Sequence, residues 1–305
     1  MARKAAWAWV KGDQEKLRRL RRQWALECLI GEADQLTFRR DGTDWTVLVS
    51  DASVTKSLFL TGRHQAGTRA RVLEWLEAHE YMPASRALIV DVGANIGTPC
   101  VPLALGTGRR ILAIEPVPEN VELLRRNVER NGLSERVTCV HAAVASKAGK
   151  VTMAIHPKSG RSEVKAAGGR QGFGDASEAS GFVEVPAETL DAVVAAHGFR
   201  PEQVAFVWCD TQGFEREVLQ SATEILKAGA PFFMEFWPRG LEAHGGVAAF
   251  LACVQERFAS FVSTEDLIRE GTQAMPRPVS GLESFAQAFG ERQTDLLLLP
   301  GAGRT

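Results

Sequence analysis

Ala87-Leu-Ile-Val-Asp-Val-Gly-Ala-Asn-Ile-Gly-Thr98 decides the fold. Apolar residues run up to Asp91, and Gly93 and Gly97 follow, which reads as a buried parallel strand turning tightly into a helix. In an open α/β sheet that is the edge where ligands bind. Gly93 lets the chain turn and lets a ligand lie against bare main chain, while Gly97 lets the helix start pack close to the strand.

The same stretch narrows the ligand. A dinucleotide fingerprint places a glycine at the middle position so that a pyrophosphate can sit on the helix N-terminus, but this chain has Asn95 there. Asp91 would repel a diphosphate. It suits a ligand with a cationic end, such as S-adenosylmethionine, which carries an ammonium and a sulfonium and no phosphate.

Working outward, a second strand over 110–114 ends in Glu115, and Pro116-Val117-Pro118 opens the next helix. The spacing from Gly93 to Glu115 fits one helix and one strand, about 20 residues in a nucleotide-binding unit. A carboxylate there accepts hydrogen bonds from both hydroxyls of a ribose. A third strand over 136–140 leads into His141-Ala142-Ala143-Val144, where small residues leave room for adenine and His141 reads as a hydrogen-bonded histidine beneath it. A strand over 204–210 ends in Asp210, so three successive strand ends, Asp91, Glu115 and Asp210, bring carboxylates to one sheet edge, and a fifth strand over 231–236 closes with Glu235-Phe236. A last strand over 295–299 completes an alternation of strands and helices that predicts a doubly wound, mostly parallel, Rossmann-like sheet.

Before this core, apolar Leu17, Leu20, Trp24 and Cys28 recur at helical spacing among Lys16, Arg18, Arg19, Arg21 and Arg22. This is a basic amphipathic helix, read as a packed Leu/Trp stripe with a solvated outer face, or as a dock for an acidic partner or anionic surface. Asp41-Gly42-Thr43 joins two alternating runs into a hairpin. A helix over 68–79 then leads to Pro83. Residues 1–83 are therefore expected to form an extension packed on a catalytic domain over 84–305. Within that domain, residues 157–181 are rich in glycine and serine and read as a lid over the acceptor or as a surface insert.

Composition sets the outer bounds. The chain has 305 residues, 45% hydrophobic and 24% charged, with a net charge of -1, which gives no overall case for nucleic acid. Five widely spaced cysteines fit reduced thiols in the cytoplasm, no apolar run is long enough to span a bilayer, and no signal-peptide core follows the N-terminus.

The combined pattern resembles the FkbM-type family of S-adenosylmethionine-dependent methyltransferases. The residues that carry the resemblance are Asp91 to Gly97, Glu115-Pro116 with Glu119-Asn120, Asn127, Asn131-Gly132, Cys209-Asp-Thr-Gln-Gly-Phe-Glu215 with Val218-Leu219, and Met234-Glu-Phe236. Asp51 and Leu60-Thr-Gly62 match its lead-in. Family members carry Asp-x-Glu-Gly where this chain has Asp210-Thr211-Gln212-Gly213, so no metal is assigned here. The resemblance implies a class I methyltransferase fold and O-methylation of a hydroxyl on a sugar, glycolipid or polyketide-type natural product.

The expected cofactor contacts are Asp91 and Gly93 at the methionine moiety, Glu115 at the ribose, and Ala142 and Ala143 around adenine. Ala94, Asn95, Gly97, Thr98, Pro116, Val117, Asn120, Asp210 and Gln212 are further expected cofactor contacts. A hydroxyl is a weak nucleophile at neutral pH, so a general base is required; Asp210 is first, with Glu235, His64 and His141 in reserve. Alignment of the reacting atoms supplies up to about 7–11 kcal/mol of the barrier. The acceptor pocket is expected from residues 51–65, the Gly-rich loop and Trp237, with a small hydroxylated molecule as substrate and a homodimer as the assembly. Two alternatives stay open: a nicotinamide-dependent oxidoreductase on the same fold, and a non-catalytic S-adenosylmethionine-binding scaffold.

Overall fold

The structure is a computed structural model, and it describes residues 13–51, 53–62, 64–156, 162–165 and 181–301. In chain order the elements begin with α1 (Gln14–Leu29), β1 (Gln35–Arg40), β2 (Thr43–Leu48), α2 (Val54–Thr61) and α3 (Ala66–Ala78). The first half of the main sheet follows as β3 (Leu88–Val92), α4 (Cys100–Thr107), β4 (Arg110–Glu115), α5 (Pro118–Arg130) and β5 (Val137–His141). Then come β6 (Ala143–Val144), β7 (Gly149–Ile155), β8 (Glu163–Val164), β9 (Gly181–Glu188) and α6 (Leu190–Ala196). The second half holds β10 (Val204–Cys209), α7 (Glu215–Gln220), α8 (Thr223–Lys227), β11 (Phe232–Phe236), α9 (Pro238–Ala243) and α10 (Val247–Arg257). It closes with β12 (Ser260–Ser263), α11 (Thr264–Glu270), β13 (Arg277–Pro278), α12 (Leu282–Phe289) and β14 (Thr294–Leu299).

The main sheet has the order β13-β12-β14-β11-β10-β3-β4-β5. Pairs from β11 through β5 are parallel, and β14 runs antiparallel between β11 and β12. The strands β3, β10 and β11 are buried along their whole length, as strands covered on both faces are, and they are apolar apart from Asp91 in β3 and Glu235 in β11. Val90, Leu112, Val207 and Phe232 face one core with α7 and α10. Ile89, Ile111, Phe206 and Phe233 face the other with α4 and α5. This is the doubly wound, mostly parallel class I methyltransferase sheet expected from the sequence.

Chain order reverses between β3 and β10, which makes their carboxyl ends the switch point of the sheet. Gly93, at φ +84°, sits there, and a Cβ on it would lie 1.9 Å from the Asp210 carbonyl oxygen. The glycine is therefore demanded by the neighbouring strand end, since β10 fills the space that a side chain would need.

The hairpin turns at Asp41 and Gly42, both at positive φ as a tight two-residue turn requires. Trp45 and Val47 of β2 join the same core as Ile89 and Leu124. Two asparagines of α5 hold it in place. Asn127 accepts from Thr46 N at 2.6 Å and donates to Thr46 O and Ile96 O at 3.0 and 2.8 Å, and Asn131 brackets Asp44 in the same way. These side chains satisfy backbone groups of a strand that pairs only with β1 among the described residues.

The structure differs from the sequence reading at the second sheet and on α1, and it adds helices α2, α9 and α11 where the sequence marked none. A separate four-stranded sheet, β6-β9-β7-β8, packs Val117, Met153 and Val185 into a third apolar cluster. Its long strand β9 covers 181–188, where only 182–185 reads as extended, because its outer positions are exposed and break the apolar run. On α1 the inward residue is Leu26, while Trp24 is 63% exposed and Cys28 is exposed, so the packed Leu/Trp stripe is absent. No helix among the described residues is long and apolar enough to cross a membrane. Most of the Gly-rich stretch 157–181 lies outside the described residues.

Candidate active site

A cavity of about 310 Å³ opens over the switch point. Its floor is the turn after β3, with Gly93, Asn95 and Thr98, and one wall is the β4 end, with Glu115 and Pro116. Ala142, Ala143 and Val144 line the side beyond β5. The opposite wall carries Asp210, Thr211 and Gln212 after β10, Glu235 of β11, and Gln293. Ser53, His64 and Gln65 reach in from the lead-in segment, and Met153, Ser162 and Val164 from the second sheet.

Asn95 explains the missing middle glycine. It sits at φ +52°, a region that asparagine tolerates better than most residues, and its side chain accepts from Ile96 N at 2.7 Å. Its own N–H donates to Glu115 Oε2 at 2.8 Å. Glu115 Oε1 accepts from Val117 N and Asn120 Nδ2 at 3.0 and 3.1 Å. Three of about four acceptor positions on this carboxylate are therefore occupied by the protein, which leaves one for a ribose hydroxyl where the sequence reading expected two.

Of the remaining expected contacts, Asp91 and Ala94 are fully buried beneath the floor, and neither lines the cavity. The Asp91 carboxylate makes no hydrogen bond of ordinary geometry. Burial, then Asp210 and Glu115, pushes it well above the usual carboxylate range, and the Cys100 amide and Arg69 only partly oppose this. Gly97 packs against Val101 and Leu124, Val117 joins the third cluster, and Asn120 serves Glu115. His141 bonds Pro116 O at 3.0 Å and lies outside the cavity lining, and Trp237 is buried against Gly240 rather than lining it.

The wall after β10 brings Asp210 and Glu235 together. Gln212, at φ +56°, donates its amide to Asp210 Oδ1 and to both oxygens of Glu235, at 3.3 and 3.1 Å for the latter. Gln293 donates to Glu235 Oε1. Buried Glu215 braces the turn by accepting from Thr211 N and Oγ1, both at 2.9 Å. Burial raises Asp210, and hydrogen bonds from Gln212 and Gln65 hold it down. Glu235 is pushed well above its ordinary value by burial and then by Asp210. Burial likewise carries Glu215 and Asp295 to about 7.

Two participants escape the sequence reading, while Gln65 closes the expected 51–65 segment and lines the cavity. Gln293 lies 58 residues from Glu235 and reaches it only because antiparallel β14 pairs Thr294 with Phe236. Arg69 of α3 is buried, donates to His64 O and Thr98 O at 3.1 and 3.4 Å, and is lowered to about 10 by burial, an effect that Asp91 opposes. His64 is lowered by burial and by Arg69, which keeps it neutral. Among the described residues, the acidic groups Asp91, Glu115, Asp210 and Glu235 thus outnumber buried Arg69 around the cavity.

Residues 91–261, more than half of the chain, match the Methyltransferase FkbM domain. The chain belongs to the FkbM methyltransferase family. It is an S-adenosylmethionine-dependent methyltransferase, which removes the nicotinamide alternative. A curated relative, the ubiquinone biosynthesis O-methyltransferase of Methylocella silvestris, is 40% identical over 62 residues, 20% of this chain. The match spans about a quarter of that relative, 24% of its length. Among solved structures, P. horikoshii TYW2 in complex with MeSAdo is similar at 13% identity and TM-score 0.41, over 95% of this chain and 86% of that one. Geranyl diphosphate methyltransferase in complex with SAM is similar at 11% identity and TM-score 0.39, over 75% and 83%.

The residues of this FkbM-family methyltransferase fit the cofactor. Asp210, Glu235 and a partly unfilled Glu115 suit its cationic and ribose ends, and among the described residues no lysine or arginine lines the cavity for a diphosphate.

Proposed function

We propose that this methyltransferase transfers the methyl group to a hydroxyl of a small acceptor, of the sugar, glycolipid or polyketide type, with Asp210 as general base. The observation that carries this reading is the amide of Gln212 shared between Asp210 and Glu235. Two carboxylates whose environments set their proton affinities apart are a recurrent basis for acid and base roles. Asp210, held by Gln212 and lining the cavity, is assigned as the proton acceptor, and Glu235, pushed well above its ordinary value by burial and then by Asp210, as its partner.

S-adenosylmethionine, when bound, supplies a methyl group activated by a sulfonium. The protein's part is placement and proton transfer. Glu115 holds the ribose, the turn at Gly93 to Thr98 supports the methionine end, and Ala142 and Ala143 leave room for adenine. Gln212 and Gln293 orient the two carboxylates toward the acceptor hydroxyl, and neutral His64 stands opposite as a second proton acceptor. A neutral amide at 212 supports a reaction without a divalent ion at this position.

Residues 1–83 act in this reading as an extension clamped onto the 84–305 domain, supported by the Asn127 and Asn131 bonds to the hairpin. Free thiols at all five cysteines support a cytoplasmic setting.

The test is incubation with S-adenosylmethionine and a panel of sugars, glycolipids and polyketide alcohols, read by mass spectrometry for an added methyl. Asp210→Asn should lower turnover by about 100-fold to 10,000-fold, the worth of a general base, while binding S-adenosylhomocysteine within a few-fold of wild type. Wild-type turnover in that variant refutes the assignment of the base. Methylation confined to nitrogen or carbon acceptors refutes the O-methyltransferase reading.

A further inference from the structure

We propose that α1 docks this protein on an anionic lipid surface. Arg18, Arg21, Trp24 and Cys28 recur at three- and four-residue spacing and share one outward face of the helix. Trp24 is 63% exposed and Ile30, just past the helix end, is 59% exposed. Arg18, Arg19 and Arg21 are exposed and make no ion pair among the described residues. The opposite face is already used, since Leu26 is buried and Arg22 donates to Leu60 O of α2 at 3.4 Å. Among the described residues the arginine and indole face packs on nothing.

Charge says what covers that face. The whole chain has a net charge of -1, yet residues 1–30 contain eight Lys/Arg against three Asp/Glu. Three of the seven tryptophans, Trp7, Trp9 and Trp24, fall in the same stretch. Guanidinium groups beside indole and an aliphatic side chain match the headgroup layer of a bilayer, where arginine meets lipid phosphate and indole sits at the apolar boundary. A second copy docking through this face would set arginine against arginine, which is unfavourable. Duplex nucleic acid would satisfy the arginines and leave Ile30 in water.

The inference is independent of the acceptor and of the base, because binding is read without turnover. The full chain is sedimented with vesicles of phosphatidylcholine alone and of phosphatidylcholine mixed with phosphatidylglycerol. Sedimentation is expected with the mixed vesicles only, and it weakens as salt shortens the screening length. Removing one arginine charge lowers partitioning about fivefold, so Arg18→Glu/Arg21→Glu should lower it by about 25-fold or more. Trp24→Ser lowers binding to the same vesicles. Thermal melts of both variants should match wild type, because these side chains face away from the core.

Equal sedimentation with both vesicle types, no sedimentation, or unchanged partitioning of Arg18→Glu/Arg21→Glu overturns the proposal. So does retention on duplex DNA or an acidic protein that exceeds binding to the mixed vesicles. A dimer seen by light scattering and abolished by Trp24→Ser would assign the face to a second copy instead and likewise overturn it.

Discussion

Replacing Glu115 by alanine separates the cofactor role of this carboxylate from its structural one. The side chain accepts from Asn95 N, Val117 N and Asn120 Nδ2, which leaves one acceptor position toward the cavity. A hydrogen bond from a ribose hydroxyl to a carboxylate is worth about 1.5–3 kcal/mol, so Glu115→Ala should weaken S-adenosylhomocysteine binding by about 10-fold to 150-fold. The substitution also orphans the buried Val117 N–H and the Asn120 amide, at about 1–3 kcal/mol each. Relief of a buried carboxylate whose pKa burial has raised offsets part of that cost. Isothermal titration gives the affinity, and urea unfolding of the free protein gives the stability change. Affinity within threefold of wild type, in a protein shown to be folded, would falsify the ribose assignment. Loss of affinity only in step with unfolding would reduce Glu115 to a brace for the turn.

Three other outcomes follow from the same geometry. Asn127→Ala removes three hydrogen bonds to the backbone of Thr46 and Ile96, so unfolding free energy should fall by about 2–4 kcal/mol, with faster amide exchange at Thr46 as the local sign. Gly93→Ala drives a methyl group to 1.9 Å from the Asp210 carbonyl and should cost at least about 3 kcal/mol and cofactor binding, whereas a wild-type melting temperature would refute the close approach of β3 and β10. The pH dependence has a defined sign. Asp91, Asp210, Glu215, Glu235 and Asp295 all have folded values above their ordinary 3.8 or 4.5, with Glu215 and Asp295 at about 7. The folded state holds the extra protons, so the stability that these groups contribute is fully present below about pH 4 and is lost as pH rises through about 7. Ionised carboxylates favour a sulfonium over a neutral thioether, so the preference for S-adenosylmethionine over S-adenosylhomocysteine should grow with pH across the same window. Chemical denaturation and calorimetry at pH 5 and pH 8 check both statements, and a preference independent of pH would refute the electrostatic reading of the cavity.

The sequence by itself determined what depends on short spans. A strand, a tight turn and a helix occupy one contiguous stretch, and parallel strands all end on one edge, so Asp91, Glu115, Asp210 and Glu235 could be assigned to that edge from apolar runs alone. Asn127 and Asn131 were visible as part of a pattern, but their task of holding the hairpin was not, because their partners lie 81 and 87 residues away. Only the tertiary structure decided which of these residues face the cavity. Asp91 lies under the floor because the turn above it folds over, and Gly93 is fixed by a carbonyl on the neighbouring strand. Gln293 reaches Glu235 through an antiparallel register that no local periodicity encodes, and Arg69 sits beneath the turn because α3 packs there. Trp24 turned outward for the same reason: helical spacing groups residues on a face, and only packing against α2 selected which face turned inward.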